Sequence, residues 1–218
     1  MPRPVDIAAL RNEYTKNSLK REDLKADPIE QFRFWFDQAV QTEIREPNAF
    51  ILSTVDRQCK PDSRSVLLKA FDLQGFVFYT NYESKKAIQI ENNPWVSLCF
   101  PWYDLERQVI VYGRTEKVSQ AQSLKYFMSR PFGSKIGAWV SQQSKVISSK
   151  GLLEAKWKEI ENKFKNGDVP LPSFWGGYCV KPSSIEFWQG GKNRLHDRFR
   201  YLRIEDNEER WQIDRLSP

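Results

Sequence analysis

From Ala49 onward, the apolar residues of this chain come in short blocks rich in Val, Phe, Leu and Tyr, separated by polar turns. Blocks of that length and punctuation fold as strands, which commits most of the chain to a sheet. The first blocks cover residues 49–55, 63–71 and 76–80, divided by the turns at 56–62 and 72–75. Others follow at 95–100 and 107–118. The pattern returns at 174–180, 185–189, 198–204 and 211–216, the last two joined by the turn EDNEE. Strands mostly in hairpin order with helices between them predict a mainly β (α+β) fold, an antiparallel barrel decorated by helices.

The helices are marked by caps. Asp27 and Pro28 give an N-cap followed by proline in the first turn, and Ile29, Phe32, Phe36, Ala39, Val40 and Ile44 recur at helical spacing over 28–45. Ser84 caps a short helix that stops at Pro94, and Ser119 with Gln122 forms a capping box for a helix running to Ser129 before Pro131. Leu153, Trp157, Ile160 and Phe164 make one stripe of a helix over 149–165, with Gly167 as its stop. The polar stretch to residue 26 reads as an arm with one short helical turn, and residues 27–218 as a single domain.

Composition narrows the chemistry. With 218 residues, 40% hydrophobic and 14% aromatic, the chain has the means to build a core. No apolar run approaches the roughly 20 residues of a membrane span, and no secretory signal is visible, so a soluble, cytoplasmic protein is expected. Cys59, Cys99 and Cys179 form no C-x-x-C pair, which argues against a disulfide framework and a zinc module. The single histidine, His196, excludes multi-histidine metal sites. Neither glycine signature of nucleotide binding occurs, the P-loop or the dinucleotide turn. The net charge of +6 points toward anionic partners, which composition leaves open among nucleic acid, membrane surface and phosphorylated small molecules.

Three segments concentrate the candidate residues. In QGGKNRLHDRFRY at 189–201, an extended 194–198 would turn Arg194, His196 and Arg198 to one face. Such a row of positive groups suits an anion or an electron-rich ring above it, and Gly190-Gly191 would allow close backbone approach to a ligand. The alternative is a charged edge strand that blocks pairing. On the 119–129 helix, Leu124, Phe127 and Met128 face one way, while Tyr126 and Arg130 face roughly opposite, with Ser134 just beyond. A phenol, a guanidinium and a hydroxyl suit a phosphate dianion, though an exposed polar face reads equally well. Arg64 and Lys69 have opposite parity on one strand, so either a bulge re-aims one of them or they serve different ligands. Lys85 and Lys86 follow the Ser84 cap, where a helix N-terminus favours phosphate, though a surface lysine pair is the plainer alternative.

Together these stretches resemble the pyridoxine/pyridoxamine 5′-phosphate oxidase family, from RNEYTKNSL at 11–19 to IDRLSP at 213–218. RSVLLK, FYTN, SKKAIQIENNP, ERQVIVYG, YFMSRPFGSKIGAWVSQQS, VPLPSFWGGY and IEFWQGGKNRLHDR carry the likeness, the last being the most specific. The resemblance implies a homodimeric FMN-binding split barrel with peripheral helices and the flavin between subunits. It implies oxidation of pyridoxamine 5′-phosphate or pyridoxine 5′-phosphate to pyridoxal 5′-phosphate, with O2 as acceptor and hydrogen peroxide as by-product. No metal, nucleic acid or membrane takes part in that reading. FMN contacts are implied at Arg64, Ser65, Val66, Leu67, Leu68, Lys69, Tyr79, Thr80, Lys85, Lys86, Gln108, Gln143, Ser144, Trp188 and Arg198. Substrate phosphate is implied at Lys69, Tyr126, Arg130 and Ser134. Arg194, Leu195 and His196 are implied against the substrate ring, with Arg194 and His196 as the catalytic pair and Arg11 and Tyr14 closing over it as part of a lid. In this reading Arg194 orients the amine or alcohol, and His196 accepts a proton or bonds the ring substituents. The family often shows arginine where this chain has Lys85, which keeps the charge but loses the bidentate fork. Ser65 also replaces a more usual apolar residue. The competing readings are a split-barrel flavin oxidase of phenazine-type substrates, a non-catalytic flavin- or haem-binding module, and a nucleic-acid binder.

Overall fold

The computed structural model describes Asp6, Ile7, Leu10 and residues 13–165, 167–204 and 207–218; Arg11 lies outside the described residues. The elements run α1 (Pro28–Gln41), β1 (Ala49–Val55), β2 (Pro61–Leu67), β3 (Ala70–Asp72), β4 (Gly75–Asn81), α2 (Lys85–Asn92), β5 (Trp95–Trp102) and β6 (Arg107–Lys117). Then come α3 (Gln120–Ser129), α4 (Phe132–Val140), α5 (Lys150–Phe164), β7 (Trp175–Gln189), β8 (Asp197–Ile204) and β9 (Asn207–Leu216). Among the described residues nine strands hydrogen-bond in the order β2-β1-β5-β6-β7-β4-β3, with β8 pairing β7 and β9 pairing β8. The registered pairs are antiparallel, as the hairpin order predicts.

The chain divides into two compact units: Asn48–Leu98 with Tyr112–Ser183, and the described residues of Met1–Pro47 with Cys99–Val111 and Ser184–Pro218. In the latter, the Asp27 carboxylate accepts from the amides of Ile29 and Glu30 and starts α1. The helix buries Ile29, Phe32, Trp35 and Ala39. Phe32 packs edge-on to Phe100 at 5.0 Å, and Trp35 edge-on to Phe187 at 5.3 Å. Val40, expected in the stripe, is exposed, and Trp35 takes the inward place. The helix ends at Gln41 rather than 45, because the Thr42 hydroxyl folds back on the Gln38 carbonyl and Glu43 turns left-handed at φ 57°.

In the other unit the residues of β1 alternate, with Phe50, Leu52 and Thr54 buried. The run expected as one strand over 63–71 is two. β2 ends at Leu67; the Leu68 amide then bonds the Asn48 carbonyl and the Lys69 amide bonds Val77 on β4. The chain changes partner strand between these two residues, and that step, rather than a bulge, separates Arg64 from Lys69. The reverse happens at β7, expected as two strands and found as one of 15 residues. Its first half pairs β4 up to Val180 and its second half pairs β8 from Ser184. Pro182 lies between the two partners, where its missing N–H removes no bond of either ladder.

Helices α3, α4 and α5 share an apolar cluster of Phe127, Ile136, Val140, Ile160, Val169 and Trp175. Leu153, Trp157 and Phe164 of the α5 stripe pack against it. Helix α4 has no counterpart in the sequence reading; Gly133 and Gly137 hide it, yet they let the Trp157 ring come within 3.8 and 3.6 Å of where a Cβ would stand. Among the described residues no helix is long and apolar enough to cross a membrane, and no three His, Cys, Asp or Glu side chains are grouped to hold a metal ion.

Candidate functional site

Within the unit of Asn48–Leu98 and Tyr112–Ser183, strands β2 and β4, the start of α2 and helices α3 and α4 surround a cavity of about 550 Å³. Ser65, Val66, Leu67, Lys69, Tyr79, Thr80, Lys86, Tyr126, Arg130, Ser134 and Gln143 line it, eleven of the residues expected from the sequence. Asn81, Pro131, Gly137, Ala138, Ser141 and Trp175 complete the wall. Leu68 is buried elsewhere, with its backbone tied on both sides to Asn48. Arg64, Lys85 and Ser144 do not reach the wall. Lys85 and Ser144 line a neighbouring depression that shares Gln143 with the cavity.

The cavity is aromatic on one side. Tyr79 stacks on Tyr126 at 4.1 Å and on Trp175 at 5.4 Å, and the Arg130 guanidinium lies 4.8 Å over Trp175. Helix α3 makes this wall by rotating away from the expected orientation. Ser123 and Phe127 are buried, whereas Leu124 and Met128 are exposed, so the apolar stripe is not the inward face. Tyr126 and Arg130 turn toward the cavity for the same reason. Ser134 sits in the first turn of α4.

The cavity is also positive. Lys69, Lys86 and Arg130 line it, and among the described residues no carboxylate does. Burial, with the nearby Arg64 charge, pushes the Lys86 amine down to about 8, and the charge of Asp62 offsets this only in part. The Lys86 ammonium donates to Gln143 Oε1 at 2.7 Å, and to Thr80 and Ser84 hydroxyls at 3.3 and 3.4 Å. Burial likewise lowers Arg130, whose Nη1 is buried with no hydrogen-bond partner. A buried, unpartnered donor on a guanidinium is costly unless a ligand accepts from it. Cations, hydroxyls and flat aromatic faces around such a volume fit a phosphate-bearing planar ring, and the flavin implied by the sequence meets that description.

The other unit holds the remaining expected residues except Arg11. Tyr14, Trp188 and His196 form an aromatic corner: Tyr14 stands edge-on to Trp188 at 5.6 Å and to His196 at 5.5 Å, and Trp188 lies 4.7 Å from His196. The arm is pinned there, with the Thr15 and Lys16 amides on Glu106 Oε2 and the Leu19 amide on Asp197 Oδ2. Gln108 lines a small cavity of about 170 Å³ with Tyr14, Arg107 and Trp188. Burial presses the Arg107 guanidinium down to about 10, where it bonds Gln189 and Gln38.

The expected extended row of Arg194, His196 and Arg198 does not form. Lys192–Arg194 is a 3₁₀ turn with Asn193 at φ 54° and Arg194 at φ 64°, and β8 begins only at Asp197. The paired glycines serve the protein itself. A Cβ on Gly190 would stand 2.7 Å from the Tyr14 ring, and one on Gly191 would stand 2.2 Å from the Leu195 carbonyl. The Gly191 amide donates to His196 Nδ1 at 3.2 Å. Burial and the charges of Arg194 and Arg198 lower His196 below the usual imidazole value. That shift favours the neutral imidazole, and with Nδ1 accepting from Gly191 the nitrogen left to face a ligand is Nε2. Leu195 is exposed. Arg198 is held by Glu186 Oε1 at 2.8 Å and by the Ser217 carbonyl at 2.8 Å. Trp175 is the main residue the sequence reading missed, because an aromatic at the start of a buried strand carries no sign of lining a cavity.

Comparison with known proteins gives one answer. A family model described as pyridoxamine 5′-phosphate oxidase matches residues 36–164, and one described as the pyridoxine 5′-phosphate oxidase C-terminal dimerisation region matches 175–218. A Prochlorococcus marinus protein named pyridoxine/pyridoxamine 5′-phosphate oxidase is 57% identical over 215 residues, 98% of this chain and 96% of its own. The crystal structure of PhzG from Burkholderia lata, in complex with tetrahydrophenazine-1-carboxylic acid, superposes with a TM-score of 0.86 at 25% identity, covering 93% of this chain and 98% of that one. A pyridoxamine 5′-phosphate oxidase-related, FMN binding protein from Nostoc punctiforme shares the fold at a TM-score of 0.71 and 15% identity, over 89% of this chain and 100% of its own.

Proposed function

This chain belongs to the pyridoxine/pyridoxamine 5′-phosphate oxidase family, and from that membership we propose how its residues divide the work around an FMN cofactor. The enzyme oxidises pyridoxamine 5′-phosphate and pyridoxine 5′-phosphate to pyridoxal 5′-phosphate, with O2 as the acceptor and hydrogen peroxide as by-product. The match of 175–218 to a dimerisation region supports a homodimer, and the reading places the flavin at the subunit interface. The observation that carries the assignment is the carboxylate-free cavity in which Arg130 keeps a buried, unpartnered donor.

FMN, when bound, supplies the two-electron acceptor that O2 then reoxidises. Ser65, Val66, Leu67, Thr80, Lys86 and Gln143 of the cavity wall would hold it, with Arg64, Lys85 and Ser144 beside them in the same unit; Gln108, Trp188 and Arg198 are assigned to it by the family resemblance alone. Lys69, Tyr126, Arg130 and Ser134 grip the substrate phosphate, fixing one end of a small rigid molecule and so converting binding into orientation. Arg194 orients the amine or alcohol. His196, donating from Nε2, bonds an oxygen of the pyridine ring's substituents. The single-donor role suits a neutral imidazole whose other nitrogen already accepts from the Gly191 amide.

The direct test is the visible spectrum of the purified protein before and after anaerobic addition of pyridoxamine 5′-phosphate. An oxidised flavin band that bleaches, and returns in air, is expected. A yellow protein that does not bleach would separate the flavin from the substrate assignment, and a colourless protein that cannot be reconstituted with FMN would remove both.

Lys86 adds a pH dependence. Its pKa is depressed by burial to about 8 in the free protein, and a phosphate beside it favours the charged form. Binding FMN must therefore take up a proton above pH 8, and affinity falls as pH rises from 7 to 9, by about tenfold if one charge-assisted bond is lost. Below pH 7 the amine is already charged and contributes no slope. Quenching of flavin fluorescence by the apoprotein measures this, and Lys86→Met should flatten the profile. A flat profile in the unsubstituted protein would take Lys86 out of the phosphate contact.

A further inference from the structure

Arg64 and Lys85 are both assigned to the flavin, yet neither lines the cavity, and one side chain accounts for where they point. Asp62 Oδ2 lies 2.7 Å from Lys85 Nζ and 3.1 Å from Arg64 Nη2. It projects from β2, where its backbone is paired with Thr54 of β1. Arg64 is further anchored by Thr54 Oγ1 at 2.6 Å, and by the Leu52 carbonyl and Gln89 Oε1 at 3.3 Å each. Among the described residues Lys85 has no second side-chain anchor of that kind. Its side chain is 65% exposed, and only its backbone amide is tied, to Ser144 Oγ at 3.3 Å. Next along α2, Lys86 takes the opposite course, into the cavity.

Asp62 thus pairs with two of the three cations near the start of α2, where a phosphate is otherwise favoured by the helix terminus, while Asp56 and Glu83 line the same depression as Lys85 without an ion pair to it. Resting on the flavin reading above, we propose that Asp62 is an internal competitor of the cofactor phosphate, which holds Lys85 in an ion pair and so sets FMN affinity below what the three cations alone would give. Lysine at 85 makes the competition effective. An ammonium is a point charge on a flexible stem and engages one strong anion at a time, whereas a guanidinium fork serves two. Arg64, tied to three other acceptors, stays in place whichever anion is present. The carboxylate also repels the incoming phosphate directly, through a half-exposed site where such terms are modest but not zero.

The experiment is a titration of the full-length apoprotein with FMN and, separately, with riboflavin, which has the same ring and no phosphate. Asp62→Asn should tighten FMN binding by about two- to fivefold, the range of a partly exposed ion pair, and leave riboflavin unchanged. The gain should shrink as salt is raised and fall by more than half in a Lys85→Gln background, since most of it acts through the Asp62–Lys85 contact and only the direct repulsion remains. Asp62→Ser, which removes the carboxylate by a different route, should reproduce the gain. Weaker or unchanged FMN binding in both Asp62 variants would overturn the proposal and make Asp62 a brace for Arg64. An equal gain for riboflavin would overturn it too, because the effect would then lie in the ring site. Failure of the unsubstituted protein to bind FMN at all would instead sink the flavin reading, and this proposal with it.

Discussion

Replacing Arg194 with alanine should lower kcat by about 100-fold, the scale of losing orientation at a reacting centre, while product affinity changes by no more than about threefold. The backbone already separates Arg194 from ordinary structural arginines. It sits at φ 64°, directly after Asn193 at φ 54°. Asparagine tolerates that region, but an arginine there costs about 1–3 kcal/mol unless its surroundings hold it. Here the Leu195 amide bonds the Lys192 carbonyl, the His196 amide bonds the Arg194 carbonyl, and the Gly191 amide reaches His196 Nδ1, so the turn is over-determined. The consequence is a second measurement on the same position. Arg194→Gly relieves the strain while adding chain entropy to the unfolded state, and these nearly offset, so its unfolding free energy should stay within about 1 kcal/mol of the parent. A variant of unchanged stability and collapsed turnover marks a residue kept for chemistry. Equal losses in kcat and in product affinity would make Arg194 a binding residue only, and a large loss of stability would make it a structural one.

How much of this was legible beforehand depended on whether the signal was local. The caps Asp27, Ser84 and Ser119 name their helices because each side chain bonds amides two or three residues on. The strands β1 and β4 were readable from short apolar runs. What failed was set by partners distant in sequence. KPSS at 181–184 reads as a break, but it is where β7 exchanges β4 for β8. RSVLLK reads as one strand, but the chain leaves it at Leu68 for Asn48 and then Val77. Helix α4 was hidden by glycines whose value lies in the Trp157 ring above them. In the candidate site, the resemblance named the residue set, whereas spacing alone left Tyr126, Arg130 and Ser134 indistinguishable from an exposed polar face. The parity argument for 194–198 assumed an extended chain that two left-handed residues interrupt. Trp175 could be placed only by the stack it makes with Tyr79 and under Arg130.

Arg130→Ala should raise the KM for pyridoxamine 5′-phosphate by about 10- to 100-fold with a much smaller change in kcat, the cost of charge-assisted hydrogen bonds lost to a phosphate. Its guanidinium lies 4.8 Å over Trp175, and its backbone amide closes α3 on the Phe127 carbonyl. Among the described residues the wall has no carboxylate to pair its charge, and Nη1 is a buried donor with no acceptor. Burial lowers its pKa for the same reason, since an unpaired cation is poorly solvated there. Such a group weakens the free protein and strengthens the complex, so the two effects of removing it have opposite signs. Arg130→Met, which keeps an apolar contact with Trp175, should leave the thermal midpoint of the apoprotein unchanged or higher while the KM rises. Arg130→Lys should recover part of the affinity, because the charge returns without the planar fork. Unphosphorylated pyridoxamine supplies the control: its kcat/KM should be nearly the same in the parent and in Arg130→Ala, so the substitution erases the preference for the phosphate ester. An unchanged KM for the phosphorylated substrate would remove Arg130 from the phosphate grip. A fall in kcat/KM that is equal for both substrates would assign its effect to the shape of the aromatic wall rather than to its charge.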